Sequence, residues 1–318
     1  MEFLLLAFLG TPVWMWLSFA ALVGLLLAAD LGLFHKGAQE IGVGESLRLS
    51  AVYITLGLAF GGFVWWHLGA ASASAYLTAF VVEKTLSMDN VFVIALIFSS
   101  LAIPRALQHR VLFWGILGVI VLRGLMIGAG AALIAEYHWV LYIFSAFLIA
   151  TGIRMLFASE AHDPQDNRIV RWLKSRMRLT TTLEGERFFV RREGLLYATP
   201  LFLALVMVET ADLIFAVDSV PAVFAITADP FLVYTSNIFA ILGLRALYFA
   251  LAAILHRFAY LKYALSALLV FIGSKLFIAE ALDWQKFPAS LSLGATLAIL
   301  AAGIGVSLWK TRARPMLP

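Results

Sequence analysis

The chain has 318 residues, of which 63% are hydrophobic and only 13% charged, and its mean hydropathy is +0.95. Soluble domains carry roughly 25% charged residues, so this composition excludes a water-soluble fold and predicts an all-α polytopic membrane protein. The net charge of +4 is too small to point to nucleic acid, and a chain without cysteine has no disulfide, thiolate metal site or cysteine nucleophile.

Met1-Glu2 runs directly into apolar sequence, with neither a basic n-region nor a small-residue cleavage site, so the first span is expected to remain as an anchor. Nine spans are predicted at roughly 12–31, 47–68, 76–101, 110–134, 139–157, 195–225, 234–255, 261–280 and 289–309, all within one transmembrane domain covering 1–318. The one long polar connection, 158–194, carries Arg168, Arg171, Lys174, Arg176, Arg178, Arg187, Arg191 and Arg192. It reads as a basic cytoplasmic loop, partly folded as a surface helix over Arg168 to Arg178. Lys36 and Arg48, Arg105 and Arg110, Arg257 and Lys262, and Lys310, Arg312 and Arg314 fall on the same side as that loop. The positive-inside rule therefore puts the N-terminus outside and the C-terminus in the cytoplasm. Trp14, Trp16, Trp65, Trp66, Tyr137, Trp139 and Trp284 mark the outer boundary. Gly61-Gly62 and Gly128 with Gly130 are expected at close helix contacts, Thr235-Ser236-Asn237 as a helix cap, with a polar gate lining the pathway as the alternative, and Asp229-Pro230 as an outer turn.

Spans 3–5 resemble spans 6–8. Glu83-KTLSM-Asp89-Asn90-Val91 answers Asp212-LIFAV-Asp218-Ser219-Val220; Ile116-Leu117-Gly118 with Arg123 answers Ile241-Leu242-Gly243 with Arg245; Gly152-Ile153-Arg154 answers Gly273-Ser274-Lys275. The offsets of 129, 125 and 121 keep order, which defines repeat A at about 76–157 and repeat B at about 195–280. Each unit has an odd number of spans, so the second is inverted, an arrangement characteristic of secondary transporters with a site at the midplane.

Acids within these spans need a physical reason, because a charge at bilayer depth costs about 2.5–3.5 kcal/mol even on the mild insertion scale. From Leu195 to Val233 there is no Lys or Arg, yet Glu209, Asp212 and Asp218 lie inside the run. Pro221, having no N–H, is expected to break the helix and release the carbonyl of Val217. Glu83, Asp89, Glu209, Asp212 and Asp218, with the amide of Asn90 and the hydroxyls of Ser87 and Ser219, form an all-oxygen set suited to Mn²⁺, Mg²⁺ or Ca²⁺. The histidines have no ligand spacing, which argues against zinc or copper. Arg123, Arg245 and Lys275 are read as structural counter-ions; Lys84 points away from Glu83, toward an acid on a neighbouring helix. Asp30, near the end of span 1, is a weaker candidate that snorkels to water in the simpler reading.

These residues stand within segments that resemble the TerC family of membrane proteins, most closely its Alx-like branch. They are VVEKTLSMDNVFV (81–93), GILGVIVLRGLMI (115–127), FFVRREGLLYATPL (188–201), ETADLIFAVDSVPA (209–222) and DPFLVYTSNIFAILGLRALYF (229–249), and the resemblance covers about 12–309. It implies manganese export from the bacterial inner membrane, with a looser link to tellurium resistance and pH stress. It also implies a cation path through Glu83, Asp89, Glu209, Asp212 and Asp218. Tellurite is an anion that clustered carboxylates repel, so an indirect role through metal balance fits better.

The resulting expectation is a carrier that exports Mn²⁺ by alternating access in exchange for protons, with its site between spans 3 and 6. Mn²⁺ is the transported substrate rather than a permanently bound cofactor. Membrane lipid surrounds the protein, nucleic acid is not a partner, and protein partners are left open. No G-x-x-x-x-G-K-[ST] loop is present to use ATP directly. The rivals are a non-transporting metal-binding partner in metal or tellurite stress and an intramembrane carboxylate enzyme; the latter lacks a Gly-x-Gly-Asp motif.

Overall fold

The computed structural model describes residues 7–34, 43–137, 139–157, 176–180, 182–251, 261–284 and 287–311, with the side chains of Asp30, Asp89, Asp218 and Arg245 outside that description. Its helices are α1 (Val13–Phe34), α2 (Val43–Ser100), α3 (Arg105–Glu136), α4 (Val140–Phe157), α5 (Pro200–Phe224), α6 (Pro230–Leu242), α7 (Leu244–Leu251), α8 (Leu261–Ala281) and α9 (Ala289–Thr311). Six helices are long and apolar enough to cross a membrane, and α1 and α6 are shorter apolar helices among the described residues. The class is therefore an all-α, multi-pass membrane protein.

Two of the predicted spans lie within α2, which reverses direction at Gly69. This residue has φ 85° and ψ 174°, a conformation essentially reserved for glycine. Tyr76 Oη donates to the Gly57 carbonyl at 3.0 Å, and a side chain at Gly57 or Gly61 would run into Phe80 or Leu77. The two halves of α2 thus fold back on each other, with glycines letting the backbones approach. The predicted connection over 69–75 is helical apart from that one residue. Gly61 and Gly130 do sit in tight contacts, Gly130 against Phe224, whereas Gly62 and Gly128 meet nothing nearby.

Three expectations are corrected. Pro221 does not break its helix: α5 runs on to Phe224, since Pro221 lies within a turn of the C-terminus and Ala225 N–H still donates to its carbonyl. Thr235, Ser236 and Asn237 do not cap α6. They are wholly buried in its middle, and Asp229 caps it instead by accepting from Phe231 and Leu232 N–H. The predicted start of span 6 at 195 is β-structure. Strands β3 (Phe189–Arg192) and β4 (Leu195–Ala198) pair antiparallel through Glu193 (φ 51°) and Gly194 (φ 77°), a two-residue turn that needs positive φ at both positions. A similar turn at Leu9-Gly10 joins β1 (Ala7–Phe8) to β2 (Thr11–Pro12). Most of the predicted surface helix over Arg168 to Arg178 lies outside the described residues.

α2 packs against α5, α6 and α7, α3 lies against α5, and α4 makes its main contact with α8. One apolar cluster (Val91, Ile94, Phe98, Leu112, Val208) fills the end near Ser100, Arg105 and Pro200. Others fill the opposite end, around Phe60, Tyr76 and Phe239 and around Ala79, Val223 and Phe224.

Candidate functional site

A polar layer lies between these apolar ends. Asp212 is twelve residues from either end of α5, and Glu83 is fourteen beyond Gly69 and seventeen before Ser100. At 1.5 Å per residue that is about 18–25 Å of helix to each side, which is mid-membrane depth.

Arg123, from α3, is the hub of this layer. Its side chain is buried, and its Nη1 donates to the Glu83 carboxylate, to Ser219 Oγ at 2.8 Å and to Asn237 Oδ1 at 3.1 Å. Its other nitrogens donate to both oxygens of Asp212, Nη2 at 3.2 Å and Nε at 3.4 Å. Asn90 Nδ2 donates to Asp212 Oδ1 at 3.3 Å, and Ser87 Oγ to the Glu83 carbonyl at 2.8 Å. A planar fork of five donors suits this role, because it satisfies two carboxylates on different helices at once. One guanidinium serves both carboxylates, and among the described residues Glu83 Oε2 and Asn237 Nδ2 have no hydrogen-bond partner.

Glu209 stands apart from this hub. Its carboxylate fills the space that a side chain at Gly118 would occupy, and its buried Oε2 has no hydrogen-bond partner among the described residues. Only a glycine at 118 allows that approach. Beside Asn90 and Asp212 there is a cavity of about 20 Å³, walled by Ile94, Leu112, Val208 and Leu244 toward the basic end. That is room for about one water-sized particle.

The structure therefore brings Glu83, Asn90, Asp212 and Ser219 together around Arg123 and places Glu209 nearby on α5. Asp89 and Asp218 lie on α2 and α5, but their side chains are outside the described residues. Among the described residues, no three His, Cys, Asp or Glu side chains are grouped as a metal would require. The Val217 side chain is half-exposed on α5. Asn237, with Thr235 and Ser236, is expected from sequence as a cap with a place on the pathway as the alternative, and its contact with Arg123 favours the alternative. The clue available was three polar residues in an otherwise apolar span. Among the described residues Lys84 pairs with no acid; its Nζ donates to the Ala240 carbonyl at 2.9 Å, near the interruption at Gly243. Lys275 Nζ donates to Ser292 Oγ at 2.9 Å, so the counter-ion reading is met by Arg123 and not by Lys275 among the described residues.

A bundle of apolar helices around a buried, charged midplane cluster defines a multi-pass integral membrane protein with a polar site inside the membrane. The family model for the integral membrane protein TerC family matches residues 68–315. The chain is 48% identical over 310 residues to an Escherichia coli K12 protein named "Putative membrane-bound redox modulator Alx", covering 94% of this chain and 95% of that one. It is also 45% identical over 307 residues to the Myxococcus xanthus "Uncharacterized membrane protein STKORF319", covering 96% and 95%. The chain belongs to the TerC family of integral membrane proteins. No solved structure matches it.

Proposed function

We propose that this protein is a divalent-cation carrier that exports Mn²⁺ across the bacterial inner membrane by alternating access, in exchange for protons, with its N-terminus outside. The observation that carries the reading is the Arg123 hub: two carboxylates from different helices held at mid-membrane depth, sealed by apolar side chains toward either end. A buried charge cluster of this kind is costly, and in a membrane it marks an ion path by default. Arg123 offsets Glu83 and Asp212 while no cation is bound. An entering Mn²⁺ takes over those oxygens, and the guanidinium keeps Ser219 and Asn237 as partners. Hard oxygen donors suit Mn²⁺, and carboxylates that bind either metal or protons supply the exchange.

The basic residues Arg105, Arg110 and Arg187 at the end near the small cavity support a cytoplasmic placement of that end. The name of the Escherichia coli relative suggests a redox role. A chain without cysteine cannot perform thiol–disulfide exchange, so a redox effect of this protein would run through another group.

Flux into proteoliposomes tests the function. Mn²⁺ transport is expected to accelerate under an imposed pH gradient and to be accompanied by counter-movement of protons. Mn²⁺ binding without flux would overturn the carrier reading in favour of a metal-binding partner, and cleavage of a membrane substrate would favour an enzyme.

A further inference from the structure

The small cavity lies on the basic side of the site and packed apolar side chains close both ends, so a path on the opposite side has to be formed by residues that are now packed. Their identity follows from the symmetry of the packing. A side chain at Gly152 on α4 would strike the Ser266 carbonyl and Val270 on α8, and one at Gly273 on α8 would strike the Ser145 carbonyl and Ile149 on α4. Each of these residues is paired with its counterpart at a single offset of 121: 145 with 266, 149 with 270, 152 with 273. Such reciprocal contact is what a two-fold axis between the helices produces.

The same relation, at the offset of 129 set by the acid motifs, links the two apolar clusters that flank the hub. Val91, Ile94 and Val208 in the cluster at the basic end correspond to Val220, Val223 and Ala79 in the cluster at the far end. Within the site, Asp212 corresponds to Glu83 and Asn90 to Ser219, so the cavity beside Asn90 and Asp212 has its counterpart beside Ser219 and Glu83. That side holds Glu83 Oε2, which has no hydrogen-bond partner among the described residues. Asn237 Nδ2, likewise without a partner among them, is one turn from Val233 of the far cluster.

We propose that Ala79, Val220 and Val223 form the external gate of the cation path, and that Asn237 is the first polar side chain met behind it. In the present conformation the gate is shut, with Ala79 and Val223 wholly buried. When it opens, the cluster of Val91, Ile94 and Val208 stays packed, and a divalent cation held by Glu83 leaves past Asn237. This inference rests on the carrier reading and adds to it the outward route.

Cysteine accessibility tests it, since the chain has no native cysteine. Ala79→Cys, Val223→Cys, Ile94→Cys and Val208→Cys are each made in full-length protein in proteoliposomes and treated with a membrane-impermeant thiol reagent on either side. Residues 79 and 223 are expected to label from the external side only, and 94 and 208 from the cytoplasmic side only. Saturating Mn²⁺ on one side is expected to shift the two rates in opposite directions by about tenfold, the population shift of a two-state carrier. Failure of 79 and 223 to label during intact Mn²⁺ flux would overturn the gate and leave the function standing. Sided labelling in a protein that carries no Mn²⁺ would support the gate and overturn Mn²⁺ as cargo. Asn237→Ala gives a further reading: slowed release on the external side with unchanged labelling at 94 supports its placement, and unaltered flux overturns it.

Discussion

Arg123 decides the energetics of the site. Taking a guanidinium and two carboxylates out of water is expensive, and the geometry offsets this only while every partner is present. Arg123→Gln leaves Glu83 and Asp212 facing each other without their shared base, and a loss of about 3–5 kcal/mol is expected. Chemical denaturation in detergent measures it. Adding Glu83→Gln is expected to recover part of the loss, because it removes one of the stranded charges; full additivity would show that the two side chains are uncoupled. Gly118 separates packing from chemistry in the same way. Gly118→Ala pushes the Glu209 carboxylate from its place and is expected to lower stability by about 1–3 kcal/mol, as overpacking does. Gly118→Ala with Glu209→Ala is expected to regain stability but not Mn²⁺ flux. Flux recovered with stability would show that Glu209 only fills space.

At the level of elements, the glycines of α4 and α8 bring two backbones together. Ser266 Oγ reaches across to the Gly152 carbonyl, while the buried Ser145 Oγ has no hydrogen-bond partner among the described residues. Gly152→Val and Gly273→Val are expected to destabilise to a similar degree, because each removes one half of a reciprocal contact. A large effect at one and none at the other, read by thermal unfolding, would argue against the two-fold relation. Pro221 belongs to a different class. Since α5 continues through it, Pro221→Ala adds one N–H that Val217 can accept, a gain of about 1 kcal/mol, and Mn²⁺ flux is expected to be unchanged. A collapse of flux would restore the idea of a functional break there.

The whole molecule has a side. The ion pair Arg110–Glu186 at 2.8 Å ties the hairpin region to the end where α3 begins, while Arg192–Glu184 is made within that region. Thr199 Oγ1 donates to the Arg187 carbonyl at 2.7 Å just ahead of α5. If that end is cytoplasmic, an impermeant thiol reagent outside intact cells is expected not to label Arg191→Cys, an exposed position on β3. It is expected to label Trp139→Cys, at the opposite end. The reverse pattern would invert the topology and the direction of export.

Composition alone determined the membrane class, since 63% hydrophobic residues leave too little polar surface for water. Runs of apolar residues placed the helices to within several residues, because insertion depends on local hydropathy. The acids at depth were legible for the same reason: each stood out against its own neighbours. What the sequence did not decide was which acid meets which base. Arg123 reaches Glu83 across 40 positions, Asp212 across 89 and Asn237 across 114. Such pairings follow from how helices are rotated and stacked, and single-chain periodicity carries little of that. Glu209 looked equivalent to Asp212, three residues on, yet the turn of the helix sends one into a glycine gap and the other to the guanidinium. The reversal at Gly69 and the hairpin turn at Glu193-Gly194 were hidden for a related reason. Each hangs on one or two backbone conformations, and those become favourable only once the segments on either side are packed together.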